Sequence, residues 1–363
     1  MKKIVLSLML VVSLAACGEK TESLKENEKP VVKIGSILPL TGASAEMGNE
    51  LKNAALKMLE QYKDSSVKYE LIFEDNQGGS VPKSISAMKK MIYVDKISAL
   101  IPTFSAAAQA IAPIIEDENL VQFALVVDLD PTKYKKSFSV YSSVEEDVKA
   151  LVEILKKQNV KKIACFVQYL PAQMSRFDYL QQEAERNGIE IVKIDVIGGN
   201  RNFNMDIAKM SQSNPDMIVL FVVVPELDII AKQLKDLGVN IPKTTIEAIS
   251  HSQYKEDLFE NSIYVEGHQK EAKLINDIKE QIKANGTLGF VYFYESLAIL
   301  TQAIDKFYTD NKRIPTADEI VSIVEEIDTY QGIAGEVYRN NHRFFVKSGI
   351  RKIVNGQPVV VEE

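Results

Sequence analysis

From Val31 onward, short β-branched runs alternate with amphipathic helical stretches almost without a break, and this alternation restricts the fold more than any other feature. "VVKIGSIL" reads as a buried strand, after which Leu51, Ala54, Ala55, Met58, Leu59 and Tyr62 recur at helical spacing. "YELIFED" is a second strand, followed by a helix after Pro82 with Ile85, Met88 and Ile92 on one side. "ISALIP", a helix over residues 105–118 and "LVQFALVV" complete a strand–helix–strand series of the doubly wound parallel type. The pattern then restarts. Ser143 followed by Glu146 is a capping-box signal for the helix "VEEDVKALVEILKK". "KKIACFV", a helix through residues 179–186 with Gly188 as its C-cap, "IEIVKIDVI", a short helix from Phe203, "DMIVLFVVV" and a helix ending at Gly238 follow. Beyond Gly267 the chain is helical through "YFYESLAILTQAI" and ends in short strands. Two α/β units in succession, with a first boundary near Ser142, suit a chain too long for one small core.

The chain opens "MKKIVLSLMLVVSLAAC", with a basic start and an apolar stretch over residues 4–14 that is too short to span a bilayer. Its end, Leu14-Ala15-Ala16-Cys17, resembles the bacterial lipobox, which implies cleavage before Cys17 and lipidation of that residue; the alternative is a simple secretory signal with an incidental cysteine. The following "GEKTESLKENEKP" is polar, has no apolar period and reads as a flexible tether. Of the two cysteines, the second, Cys165, lies in a strand pattern as a packing residue, so no disulfide framework is expected. A net charge of −7 argues against a nucleic-acid partner. No later apolar run has the length of a membrane span.

Several chemistries lack their residues. The first strand–helix turn has Gly42 and Gly48 rather than G-x-G-x-x-G, there is no Gly-Lys dipeptide for a P-loop, and there is no G-x-S-x-G elbow. The three histidines, His251, His268 and His342, are far apart and form no metal pair. His251 reads either as a ligand contact or as a surface or capping residue. Glu74-Asp75 and Glu145-Glu146 read as turn and helix-dipole chemistry. Ligands of such sheets bind outside the carboxyl ends of the strands, so the informative loops are 40–48, 103–105, 126–128, 168–173, 223–225 and 247–251. They offer hydroxyls, backbone groups and acids but no nucleophile–base arrangement. Capture fits better than catalysis, and neither an enzyme, a cofactor nor a metal is expected.

In their order and spacing, "IGSILPLTGASAEMG", "AIAPIIEDENL", "NFNMDIAKM…NPDMIVL" and "GIAGEVYRNNHR" resemble the solute-binding proteins of branched-chain amino-acid ABC transporters. These have the type I periplasmic-binding-protein fold: α/β, two doubly wound parallel-sheet lobes joined by three crossovers, with the ligand in the cleft between them. The resemblance implies lobe 1 at 31–142 plus 268–342 and lobe 2 at 143–267 plus 343–363, after a signal peptide at 1–16 and the lipidated tether at 17–30. Crossovers are expected near Ser142, Gly267 and His342.

The same resemblance implies site residues. Glu247 falls on the acid that binds a ligand ammonium, and Ser105 on the hydroxyl that binds the α-carboxylate. Val126 and Val127 match residues whose backbones complete that site; Thr103 and His251 are candidates from their strand-end loops alone. The bland readings are a solvated loop acid for Glu247 and a plain helix N-cap for Ser105. Met47, Ala172 and Val223 stand where the family has aromatic walls, or are ordinary core. Asp128 replaces the usual Thr or Ser; it caps the following turn, is held neutral by burial, or meets a solute donor. Thr41, Ser44 and the helix amides of the first loop offer donors, with Gly42 and Gly48 permitting close backbone approach.

The expected protein is a monomeric, lipid-anchored, extracytoplasmic solute-binding protein serving ABC permease subunits, on the periplasmic face in a Gram-negative cell. The expected solute is a small amphipathic one, a branched-chain or other amino acid or a related acid. The competing reading is a ligand-free envelope lipoprotein of the same fold that activates peptidoglycan synthesis.

Overall fold

The computed structural model describes residues 29–127, 133–267, 273–284, 289–333 and 335–361. The expected signal segment, Cys17 and Asp128 lie outside them. In chain order the first lobe starts with β1 (Val31–Leu38), α1 (Ala45–Leu59), β2 (Lys68–Asp75), α2 (Val81–Lys90), β3 (Ala99–Pro102), α3 (Ser105–Asp117), β4 (Val121–Ala124) and β5 (Ser137–Val140). The second lobe contributes α4 (Val144–Lys157), β6 (Lys162–Gln168), α5 (Pro171–Arg186), β7 (Glu190–Val196), α6 (Asn204–Gln212), β8 (Met217–Phe221), α7 (Glu226–Asp236), β9 (Lys243–Thr244), α8 (Lys255–Phe259) and β10 (Ile263–Glu266). The chain returns to the first lobe for α9 (Lys273–Ile282), α10 (Phe290–Asn311), α11 (Ala317–Val324), β11 (Thr329–Gly332), β12 (Gly335–Asn340) and β13 (Arg343–Val346). It ends in the second with β14 (Gly349–Val354) and β15 (Gln357–Val360).

The first sheet runs β11-β12-β13-β5-β4-β3-β1-β2, parallel from β13 to β2. Its central strands β1, β3, β4 and β5 are buried on both faces, which explains why β1 reads as a continuous apolar run rather than an alternating one. Against one face lies α10, whose Phe290, Phe293, Leu297, Leu300 and Ile304 join the core with β-strand residues such as Phe123 and Phe138. The second sheet runs β7-β6-β8-β9, and a parallel bridge between Ile246 and Val265 carries it on to β10, β14 and β15. Cys165 is fully buried there, as a packing residue should be, and burial pushes its thiol pKa far up.

Three local readings change. β13 still pairs with β5, so the chain leaves the first sheet after Val346 and crosses at Lys347 and Ser348, not at His342. The parallel pairing of Arg343 with Ser139 is long-range, and no local signal marks it. Ser143 sits at the N-cap of α4 but makes no capping bond; the neighbouring Ser142 hydroxyl is given to Asp147 instead. A true capping box occurs at α11, between Thr316 and Glu319. The strand read from "LVQFALVV" is regular only over Val121–Ala124.

Candidate functional site

The loops that leave the carboxyl ends of the parallel strands in both lobes carry the candidate polar groups, and α3 of the first lobe packs on α5 of the second. In the first lobe, β1 runs into the loop that opens α1. The Asp75 carboxylate gathers that loop, accepting from the Leu40 amide at 2.9 Å, the Thr41 amide at 3.2 Å and the Thr41 hydroxyl at 2.5 Å. Thr41 is therefore committed to its own loop rather than offered to a solute. Gly48 has a different use from the one expected. A Cβ there would lie 2.1 Å from the Pro39 carbonyl oxygen, so its small size serves the packing of α1 on its own strand. Met47 sits partly buried in the first turn of α1 beside Glu46.

After β3, the Thr103 hydroxyl is buried and donates to the Ile37 carbonyl at 3.0 Å, which ties the loop to β1. Phe104 follows with φ 67° and ψ 120°, a conformation costly for a side chain of this size, and its ring lies on Gly79. That kink delivers Ser105, itself buried, as the first residue of α3, whose N-terminus has no side-chain cap. Uncapped first-turn amides favour an anion. Val126 packs on Ala108 and Ala112 of α3, and its carbonyl accepts from the Ser139 hydroxyl, so that carbonyl is occupied. Val127 packs with the apolar core of the second lobe.

In the second lobe, Gln168 at the end of β6 accepts from the Val223 amide at 3.0 Å, joining the loops that follow β6 and β8. Val222 and Val224 pack into the lobe core while the intervening Val223 does not, as alternation requires. Ala172, in the first turn of α5, packs partly buried against the core. α5 then turns the buried Gln173 and Arg176 to the same side, three residues apart.

Glu247 follows the Ile246 bridge with φ 62° and ψ −35°, again an uncommon backbone for its type, and is only 4% exposed. It is not a solvated loop acid. One of its oxygens takes the Arg176 guanidinium at 2.8 Å and the other accepts from the Tyr292 hydroxyl at 3.3 Å. Arg176 also reaches Asp147 at 3.5 Å. Asp147, fully buried in α4, accepts from the hydroxyls of Ser142 and Ser348, each at 2.6 Å.

Burial pushes the Asp147 pKa up to about 6, and the Glu247 charge adds to this against the opposing pull of Arg176 and the two serines. Burial also opposes the Arg176 charge, yet Glu247 and Asp147 hold its pKa above the ordinary range. Tyr141 lies tilted by 30° against Tyr292 at a centroid distance of 4.1 Å, and burial first, then the Glu247 charge, drives both phenols well up. His251 ends the short turn Ala248–His251, partly buried, with its pKa lowered by burial in spite of Glu247 and Glu266. Glu266 is in turn paired with Arg351 and accepts from Ser250 at 2.7 Å.

These groups sit where the lobes are joined. Ser142 belongs to the first crossover, Gly267 to the second and Ser348 to the third. A Cβ on Gly267 would lie 2.2 Å from the Tyr292 hydroxyl, 2.5 Å from the Ser142 Cβ and 3.2 Å from the Glu247 carboxylate. Nearer solvent the lobes also touch: Gln253 donates to Glu46 at 2.9 Å, and α3 packs on α5. The arrangement is suited to enclosing a small molecule. Among the described residues no cluster of His, Cys, Asp or Glu could hold a metal ion, and no helix is long and apolar enough to cross a membrane.

Sequence reasoning missed Asp147, Arg176, Tyr141 and Tyr292. A signal existed for two of them: Arg176 extends the apolar stripe of Phe177, Leu180 and Ala184, and Asp147 lies among Val144, Val148 and Leu151. A charge on a buried helical face must be paired.

Comparison with known proteins agrees with this architecture. A family model described as periplasmic binding protein matches residues 31–357. The leucine-binding protein LivK of Thermotoga maritima is 18% identical with a TM-score of 0.80, covering 91% of this chain and 98% of its own. A solute-binding protein of an ABC transporter from Rhodopseudomonas palustris, solved with 3,4-dihydroxybenzoic acid, is 17% identical with a TM-score of 0.80, covering 92% and 96%. LivJ of Streptococcus pneumoniae, a branched-chain amino-acid transporter substrate-binding protein solved with isoleucine, is 17% identical with a TM-score of 0.77, covering 92% and 100%. No protein of curated function matches the sequence. The chain belongs to the periplasmic binding protein family.

Proposed function

We propose, with membership of the periplasmic binding protein family as the premise, that this protein captures a small carboxylic acid outside the cytoplasm and delivers it to an ABC importer. The observation that carries the reading is the two-lobed arrangement, in which α3, with its uncapped N-terminus and Ser105, packs on α5 of the second lobe. The strand-end residues Gln168, Val223 and Glu247 of the second lobe are read as the facing wall. The isoleucine and dihydroxybenzoate bound by two similar proteins share a carboxylate, the group that helix amides favour. The contact between Glu46 and Gln253 belongs to a closed arrangement, and capture is then a hinge motion at the crossovers. Of the residues expected to touch the solute, Ser105, Val223, Ala172 and Met47 are retained. Thr103 and Val126 support the wall through their own internal bonds.

The lipobox-like Leu14–Cys17 stretch supports anchoring at a membrane, with the polar segment after it as tether. The test is a thermal-shift screen of the purified full chain with amino acids and with aliphatic and aromatic acids. At a hundredfold excess over Kd a bound solute stabilises by about 2.7 kcal/mol, a readily measured rise in Tm. A screen in which none of them raises Tm overturns the reading.

A further inference from the structure

We infer that the solute of this cleft is an acid that carries no ammonium group, because the protein's own Arg176 already occupies the Glu247 carboxylate. The inference rests on the solute-binding reading and narrows it.

An ammonium brought out of water needs an ionised acceptor in return. Among the described residues, the carboxylates gathered at the crossovers are Glu247, Asp147 and Glu266, and each is buried and already matched. Glu247 has Arg176 at 2.8 Å and the Tyr292 hydroxyl at 3.3 Å. Glu266 has Arg351 and the Ser250 hydroxyl. The excess negative charge of the set resides on Asp147, which is completely buried and accepts from the Ser142 and Ser348 hydroxyls. A solute ammonium approaching Glu247 would meet a fixed guanidinium of its own sign. At about 4 Å and an effective dielectric near 20, two such charges repel strongly enough to outweigh a typical hydrogen bond.

For an anion the balance is reversed. Arg176 is 3% exposed, and its Nε–H has no acceptor among the described residues, so the pair holds a spare donor. Ser105 and the uncapped amides of α3 add donors from the opposite lobe.

The experiment uses matched sets of probes on the purified full chain, followed by thermal shift and calorimetry. One set is isocaproate, leucine and isopentylamine; the other is hydrocinnamate, phenylalanine and phenethylamine. Each acid is expected to bind at least about tenfold tighter than its amino acid, with no binding of the amines. An amino acid binding as tightly as its deaminated acid, or any amine binding, overturns this inference and leaves solute capture standing. If no member of either set binds, this inference falls, while solute capture is decided by the wider screen. Arg176→Gln frees Glu247 and is expected to move preference toward the amino acids; an unchanged ranking in a folded variant also overturns the inference. Should that variant not fold, the wild-type sets decide.

Discussion

Gly267→Ala introduces one methyl where the second crossover passes the hinge cluster. That methyl would stand 2.2 Å from the Tyr292 hydroxyl and 2.5 Å from the Ser142 Cβ, both far inside ordinary contact. Neither neighbour yields easily: the Tyr292 ring packs on Tyr141 at 4.1 Å and Ser142 is fully buried and bonded to Asp147. Overpacking of a tight interior costs about 1–3 kcal/mol, and two simultaneous clashes place this case near about 3. Tyr292→Phe removes the worse obstacle and forfeits the 3.3 Å bond to Glu247, a loss of about 1 kcal/mol. Additivity would then put the double variant near about 4 kcal/mol, whereas relief of the clash predicts about 2–3. Urea unfolding of the four proteins, compared at constant m, measures the difference. A double variant whose loss equals the sum of the two singles would refute the claim that the Tyr292 hydroxyl is what excludes a side chain at 267.

Asp147 makes stability depend on pH with a definite sign. Its native pKa of about 6 lies above the ordinary 3.8, so between those values the native state binds the proton more tightly, and its contribution falls as pH rises through that window. Subtracting the urea profile of Asp147→Asn from that of wild type should show this decline from about pH 4 to 6 and a plateau above it; a difference that rises over this range contradicts the assignment. Gln253→Ala removes the contact to Glu46 across the cleft mouth and, being exposed, should change stability by under about 1 kcal/mol while shifting small-angle scattering toward a more open shape. An unchanged scattering profile would show that this contact does not hold the lobes together. Cys17→Ala should leave the fold intact and release the protein from membranes, since stable anchoring needs acyl chains. Wild-type protein found wholly in the soluble fraction removes the anchor.

The fold was legible because its determinants are local. Runs such as "VVKIGSIL" and "KIACFVQ" are buried on both sheet faces, and the stripes of α1 and α4 carry the 3.6-residue period that packs a helix on a sheet. Positions dictated by strand ends were legible for the same reason, so Ser105, Val223 and Glu247 were found at the mouths of their strands. What escaped was every feature made by pairing across the chain. β13 joins β5 through a register that no run of residues announces. Ser143 and Glu146 fit a capping box in spacing, but the neighbouring Ser142 hydroxyl goes to Asp147 and the cap is not formed.

The same distinction explains why Glu247 was legible at its strand end while its partners were not. Its partners lie 71 residues away at Arg176 and 45 away at Tyr292, while Ser348 reaches Asp147 across 201. These separations bring all three crossovers onto one set of buried charges, and Gly267 leaves room for them to meet. A charge cluster at that position is doubly constrained. Removing Arg176 would leave two buried carboxylates uncompensated, at a cost of about 3–5 kcal/mol, whereas opening the lobes need not break it if the crossovers pivot around it. The cluster therefore touches all three crossovers, and Glu247, read from sequence as a ligand contact, is paired internally with Arg176 and Tyr292.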